Sequence, residues 1–138
     1  MVIDMNKCII TGKEIIGHSH EANPLADGKC SSESNYQAVL PYRLFLADEN
    51  KSKAMLLNTD NTITLVKPKE KYFTLTELQT YVQGLIEMYP TYHNGNYIIC
   101  NEEGLLMDME YNNLAKLILN VDLVGPVLVV PKHLIEED

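Results

Sequence analysis

The stretch from Thr74 to Tyr89, TLTELQTYVQGLIEMY, carries the clearest secondary-structure signal in the chain and decides the fold class. Thr74, with Glu77 three residues later, forms the capping-box pattern of a helix N-terminus. Apolar side chains then recur at the spacing of one helix face, at Leu78, Val82, Leu85, Ile86 and Tyr89. Pro90 follows and ends a helix. The pattern predicts an amphipathic helix over residues 74–89.

Short apolar segments on the C-terminal side of this helix predict strands. Residues 96–100 (NYIIC) predict a strand, and residues 101–104 (NEEG) predict a turn that Gly104 closes with a positive φ. Leu105–Met109 then predicts a returning strand. Residues 112–119 predict a short helix. Residues 121–130 predict a buried strand that is interrupted at Gly125 and Pro126.

The N-terminal side adds a hairpin and one more helix. Residues 53–67 predict a β-hairpin around a Thr-Asp-Asn turn, and residues 36–48 predict a short helix that kinks or starts near Pro41. The elements together predict an α+β fold, in which a mixed or antiparallel sheet carries the helices 74–89 and 112–119 on one face. We expect this α+β domain to span residues 53–138 and to follow a small loop-rich module over residues 1–48.

The predicted N-terminal module has the spacing of a zinc site without most of its ligands. Residues 8–13 (CIITGK) resemble a zinc knuckle, C-x2-C-G-K, with Thr11 at the second ligand position. Ser31 and Ser34 repeat the two-residue spacing. Hydroxyl groups are not ionised at neutral pH and bind zinc poorly, so the pattern predicts neither a metal nor another cofactor. An alternative, rearranged metal site would use the remaining Cys and His residues of this module, Cys8, His18, His20 and Cys30.

The charge excludes several function classes. The 138 residues carry a net charge of −8, with −1 over residues 1–58 and −7 over residues 59–138, and Arg43 is the only arginine. This balance argues against direct binding of DNA or RNA, which needs clustered basic side chains. Three cysteines do not make a disulfide framework, and no apolar run approaches the ~18 residues of a membrane span. The N-terminus also lacks the pattern of a signal peptide, so we expect a cytoplasmic protein without a membrane partner.

A group of carboxylates is the candidate functional feature of the C-terminal part. Glu102 and Glu103 lie at the predicted hairpin tip, and Asp108 and Glu110 follow. Paired carboxylates serve in metal and acid–base sites, but the sequence places no histidine or basic group beside them, and an ordinary solvated surface is the simpler interpretation. Alternatively, they form an acidic face that docks a basic protein partner. The candidate interaction face comprises these acids and two nearby tyrosines, Glu102, Glu103, Asp108, Tyr92 and Tyr97.

Five separated pieces of residues 62–130 carry a family resemblance. They are TLTELQTYV at 74–82, GLIE at 84–87, YIICNEEG at 97–104, the segment Asn112 or Asn113 with Leu114-Ala115, and Val124-Gly125. The region resembles a family of domains of unknown function that is common in bacteriophages, plasmids and other mobile elements of gut bacteria and Firmicutes. This chain has Gln83 where the family often has a glycine. The N-terminal part resembles a degenerate form of the zinc-ribbon or treble-clef modules that precede this domain in some members of the family. The cysteines of those modules are usually complete, so this chain departs from them at its expected ligand positions.

Three functional hypotheses remain open at this point. The first is a non-catalytic binding or regulatory accessory protein of a phage or mobile element, acting through an unknown protein partner. The second is a nucleic-acid-associated module descended from a zinc ribbon, which the acidic charge opposes. The third is a small enzyme that uses the acidic hairpin, which the lack of a positioned base or nucleophile opposes. The first hypothesis implies that the chain has no catalytic residue.

Overall fold

A computed structural model describes residues 6–89 and 94–135. Within these residues the fold is α+β and has three α-helices of at least seven residues: α1 (Leu40–Ala47), α2 (Leu75–Val82) and α3 (Asn113–Leu119). The strands in chain order are β1 (Ser19–Glu21), β2 (Lys29–Ser31), β3 (Ala54–Leu57), β4 (Ile63–Val66), β5 (Ile86–Met88), β6 (Asn96–Asn101) and β7 (Val127–Pro131). The predicted fold class is therefore confirmed.

Five strands form the main sheet, in the order β4-β3-β7-β6-β5. Each neighbouring pair is antiparallel, so of the two predicted sheet types the antiparallel one is correct. Strand β7 lies at the centre, and all five of its residues are buried. Its side chains alternate between two faces that are both covered, which explains why its sequence VLVVP is apolar throughout. Each buried aliphatic side chain of this kind contributes roughly 2 kcal/mol to folding.

The helices lie on both faces of the sheet, and the prediction of two helices on one face is wrong. Val127 and Val129 belong to a hydrophobic cluster that contains residues of α1 and α3. Leu128 and Val130 belong to a second cluster that contains Leu78 and Val82 of α2. Because successive residues of a strand point to opposite faces, α2 is separated from α1 and α3 by the sheet.

The helix predicted over residues 74–89 is half as long as expected. Its capping box forms, since Thr74 Oγ1 accepts from Glu77 N at 3.1 Å and Glu77 Oε1 accepts from Thr74 N at 2.9 Å. The helix ends where Gln83 adopts a left-handed conformation with a φ of 65°. The chain then forms β5, which pairs with β6 in the register Ile86↔Asn101. Pairing at the sheet edge has overridden the helical periodicity of residues 85–89.

Two further predictions need correction. Leu105–Met109 forms consecutive turns rather than a returning strand, because its amides bond to nearby carbonyls, including Met107 N to Glu103 O and Met109 N to Gly104 O. In the segment 121–130, the strand begins only at Val127. The preceding residues instead bond to the start of α3, through Asn112 N to Leu123 O at 2.9 Å.

The remaining predicted elements are confirmed. Strands β3 and β4 form the expected hairpin, and β6 covers the predicted strand 96–100. Helix α3 begins after its N-cap residue Asn112. Residues 35–39 form a π-helical turn that leads into α1, where Pro41 occupies the first turn, so the helix starts near this proline.

The N-terminal segment packs against the face of the sheet that α1 and α3 cover. Its buried residues Cys8, Ile10 and Cys30 join the same hydrophobic cluster as α3. Asn113 Nδ2 donates to Ile10 O at 2.7 Å, and the guanidinium of Arg43 donates to the carbonyls of Glu21, at the end of β1, and of Asn23. The N-terminal segment and the main sheet thus share one core. A domain boundary between residues 48 and 53 stays a prediction.

Asn112 is fully buried and bonds to three separate elements. Its Nδ2 donates to Leu57 O at 2.9 Å and to Gly125 O at 2.8 Å, and its Oδ1 accepts from Ala115 N at 2.9 Å. One side chain therefore holds the end of β3, the approach to β7 and the first turn of α3 together. All hydrogen-bonding positions of its amide nitrogen are used, which offsets the unfavourable burial of a polar group.

Replacing Asn112 with alanine should lower the free energy of unfolding by about 3 kcal/mol, because two buried carbonyls and a helix-start amide lose their partner. Urea denaturation followed by circular dichroism measures this change. Lys116→Ala in the same helix is the matched control, since Lys116 is exposed and, in the described part of the chain, pairs with the exposed Asp122 at 3.7 Å. It should change stability by no more than about 0.5 kcal/mol. Equal effects of the two substitutions would contradict the structural role of Asn112.

Candidate functional site

A groove of about 340 Å³ lies at the β5 end of the sheet, next to the turns that follow β6. We call it the acidic groove, and its lining residues are Glu87, Cys100, Asn101, Glu102, Glu103, Gly104, Leu105, Leu106, Asp122, Leu123 and Val124. Four of these residues are carboxylic acids, and none of the described lining residues is Lys, Arg or His. The four acids come from three separate stretches of the chain, which the sheet and the approach to β7 bring together.

The buried side chain of Asn101 fixes the floor of the acidic groove. Its Nδ2 donates to Val82 O at 3.0 Å, and its Oδ1 accepts from Glu103 N at 2.7 Å. The C-terminus of α2 and the Glu102-Glu103 turn are thus held by one amide. Across the strand pair, Glu102 N donates to Leu85 O at 2.8 Å. The acidic turn is consequently anchored to the sheet and to α2.

Two leucines beside the acids are unusually exposed. Leu105 retains 82% and Leu106 85% of their accessible surface, although the turns that carry them have regular backbone hydrogen bonds. We call residues 105–107 the leucine turn. Met107 is 51% exposed, and Leu85 on the neighbouring chain segment is also 51% exposed. Exposed apolar side chains that are adjacent on one hydrogen-bonded turn, as Leu105 and Leu106 are, are typical of an interaction site.

The acids of the groove differ in their partners. Asp122 accepts from Tyr111 Oη at 2.7 Å and pairs with Lys116, and both contacts hold the pKa of its carboxyl below the usual range. Glu102 and Glu103 are exposed. The groove therefore carries one acid that is paired with a lysine, Asp122, and three further acids, Glu87, Glu102 and Glu103.

Cys100 lies at the inner wall of the groove and is only 3% exposed. Burial raises the pKa of its thiol to about 11, and the nearby charge of Glu87 adds to this effect. The thiol is therefore protonated at neutral pH and is a weak nucleophile. Its position in the cluster beneath α3 fits the role of a small apolar core residue.

The structure brings together only part of the predicted interaction face. Glu102 and Glu103 both line the acidic groove. Asp108 lines a separate depression with Met107 and Glu110. Tyr97 packs against the hydrophobic cluster beneath α2, on the other face of the sheet. Tyr92 lies outside the described residues. The sequence prediction did not include Glu87, Asp122 or the two exposed leucines.

The cysteines and histidines of the alternative metal site are not grouped around a common point in the described part of the chain. His20 Nε2 is 2.9 Å from Ser32 Oγ, and Cys8 Sγ is 3.4 Å from Ser34 Oγ. Residues 6–89 and 94–135 contain no group of three or more His, Cys, Asp or Glu side chains that could hold a metal ion. Burial raises the pKa of the Cys8 thiol, but hydrogen bonds from Ser34, Ser31 and Thr11 lower it more strongly, to about 6.

Family models identify most of the chain. A model described as a domain of unknown function, DUF3846, matches residues 50–137. The chain belongs to the DUF3846 family. The match confirms that the C-terminal part is a domain of unknown function, and it includes every residue of the acidic groove. No curated protein and no solved structure matches the chain. No helix in the described part of the DUF3846 protein is long and apolar enough to span a membrane.

Gly104 is needed for close packing, not for a positive φ, which corrects the prediction for this turn. A Cβ atom at this position would lie 2.9 Å from Val124 Cγ2 and 3.4 Å from Val124 O.

Gly104→Ala should therefore push the leucine turn away from the approach to β7 and lower the free energy of unfolding by about 1–3 kcal/mol. Urea denaturation measures this change. Leu105→Ala should stay within about 0.5 kcal/mol of the wild type, because Leu105 is exposed. A Gly104→Ala variant as stable as Leu105→Ala would refute this packing role.

Proposed function

We propose that this DUF3846 protein is a non-catalytic binding or regulatory accessory factor that recognises a basic, partly apolar segment of a protein partner through the acidic groove and the leucine turn. The observation that carries the proposal is the exposure of Leu105 and Leu106 on an ordered backbone beside exposed carboxylates. We assign this factor to a phage or other mobile element, following the sequence resemblance described above, and we place it in the cytoplasm.

The leucine turn supports binding because its conformation is already fixed. Gly104 N donates to Asn101 O at 3.3 Å, and Met109 N donates to Gly104 O at 3.0 Å. A partner that covers the two leucines therefore has little backbone to immobilise, which favours affinity. Burying two leucine side chains contributes roughly 1.5–3 kcal/mol each.

The charge of the groove supports a basic partner. Glu87, Glu102 and Glu103 line the same groove as Leu105 and Leu106, and none of its described lining residues is basic. Lys and Arg side chains on the partner would complement these charges, accelerate association and orient the complex. A nucleic acid is negatively charged, as the acidic groove is, and would therefore be repelled.

The same features support a binding role over catalysis. Glu102 and Glu103 are exposed to solvent, and the thiol of Cys100 is buried with a pKa of about 11. The groove thus combines solvent-exposed acids with an unreactive thiol, which supports binding more than nucleophilic catalysis.

Selection of random phage-displayed peptides on the immobilised full chain tests the proposal. The selected peptides should alternate Lys or Arg with apolar residues, and their affinity should fall steeply as salt is added. The double variant Leu105→Asn/Leu106→Asn should weaken binding at least about tenfold. Glu102→Gln/Glu103→Gln should slow association and reduce the salt dependence.

Leu44→Asn is the matched control for this experiment. Leu44 lies on α1 and is 64% exposed, but it does not line the acidic groove. This variant should bind the selected peptides like the wild type, as judged by fluorescence anisotropy. The proposal would be contradicted if the selected peptides lacked basic residues, or if the leucine double variant bound them as tightly as the wild type. It would also be contradicted if a labelled DNA or RNA oligonucleotide bound more tightly than the peptides.

A further inference from the structure

Four side chains with the paired spacing of a zinc site converge in the N-terminal segment, away from the acidic groove. Cys8 and Thr11 form one pair, and Ser31 and Ser34 form the other. All four line a single cavity of about 280 Å³. Two pairs that are twenty residues apart in sequence thus meet in space, as the ligand pairs of a tetrahedral zinc site do.

The first pair lies on a tight turn that reverses the chain. Gly12 N donates to Cys8 O at 2.8 Å, and Cys8 N donates to Lys13 O at 2.7 Å. Gly12 has a φ of 75°, which glycine adopts without strain. The turn places the side chains of residues 8 and 11 on the cavity, as the turn of a zinc knuckle places its two ligands on the metal.

The second pair lies where β2 passes into a helical turn. Ser31 ends β2 and caps the turn, since its Oγ accepts from Ser34 N at 3.1 Å. Ser34 Oγ is 3.4 Å from Cys8 Sγ, a direct contact between the two pairs. The backbones are also joined, because Ile9 N donates to Lys29 O at 2.8 Å.

The present side chains do not fit a zinc ion. Cys8 supplies the only thiol, and neutral hydroxyls at positions 11, 31 and 34 cannot replace the negative charge of thiolate ligands. They can instead bond to each other and to the thiol, as Ser34 does with Cys8. The contacts that a metal would supply are thus replaced by hydrogen bonds and by packing of Cys8 and Ile10 into the main core.

We propose that positions 8, 11, 31 and 34 are the preserved frame of a tetrathiolate metal site, and that the N-terminal segment now keeps this fold without a metal. Two consequences follow. The wild-type segment is stable in the presence of a chelator, and restoring the three missing thiols restores metal binding without changing the backbone. The proposal does not depend on the function assigned to the acidic groove.

The full-length variant Thr11→Cys/Ser31→Cys/Ser34→Cys tests the frame by cobalt titration under reducing conditions. It should bind one Co²⁺ per chain with the strong visible absorption of a tetrahedral thiolate site, Zn²⁺ should displace the Co²⁺, and Zn²⁺ should raise the melting temperature. The wild type should bind Co²⁺ at least about a hundredfold more weakly, because it has one thiolate ligand instead of four.

A control variant moves one thiol by a single residue, in Thr11→Cys/Ser32→Cys/Ser34→Cys. Ser32 is exposed, and its Oγ contacts His20 rather than Cys8. This variant therefore has the same number of thiols as the restored variant, but one of them lies outside positions 8, 11, 31 and 34. It should bind Co²⁺ at least about tenfold more weakly than the restored variant. Equal binding by the two variants would overturn the proposal.

Two measurements keep the proposal falsifiable if the restored variant does not fold without metal. The variant Thr11→Cys/Ser34→Cys retains Ser31 and places three thiols on the frame, and it should still bind Co²⁺ in a tetrahedral site. In the wild type, a chelator should leave the melting temperature unchanged. The proposal would be overturned if the two-substitution variant folded but did not bind Co²⁺. It would also be overturned if a chelator lowered the stability of the wild type.

Discussion

The buried amide of Asn112 is the contact on which the arrangement of the other elements depends. Its hydrogen bonds to Leu57 O, Gly125 O and Ala115 N join the end of β3, the approach to β7 and the start of α3. Because these carbonyls are buried, no solvent molecule can substitute for the amide without opening the core. The same contact sets the path of Leu123 and Val124, which form one wall of the acidic groove.

Local signals in the sequence predicted the starts of elements better than their ends. The capping box located the start of α2, and the hairpin of β3 and β4 followed from its turn residues and apolar runs. The end of α2 was missed because Leu85, Ile86 and Tyr89 fit a helical stripe as well as a strand. Pairing with β6 decided between these possibilities, and that pairing is a tertiary contact that no local pattern contains. The faces occupied by the helices were missed for a related reason, since β7 is apolar at every position and its sequence does not say which element covers which side.

The acidic groove shows the same limit at the functional level. Glu102 and Glu103 were found from sequence because they are adjacent. Glu87 and Asp122 were not, because the sheet and the approach to β7 bring them there from distant positions. Leu105 and Leu106 were assigned to a strand on their apolar character, whereas their exposure depends on the turns that Gly104 and Val124 permit. An apolar residue in a sequence is usually a core residue, and only its measured exposure identifies it as part of a surface.

The position of β7 has a consequence for how the chain acquires its structure during synthesis. This strand follows the other strands in sequence but occupies the middle of the sheet, between β3 and β6. A nascent chain that has emerged only as far as α3 can form the β3–β4 hairpin and pair β5 with β6, but these two halves have nothing between them. Their apolar faces remain accessible to other molecules until residues 127–131 leave the ribosome, so protection from aggregation comes late and all at once.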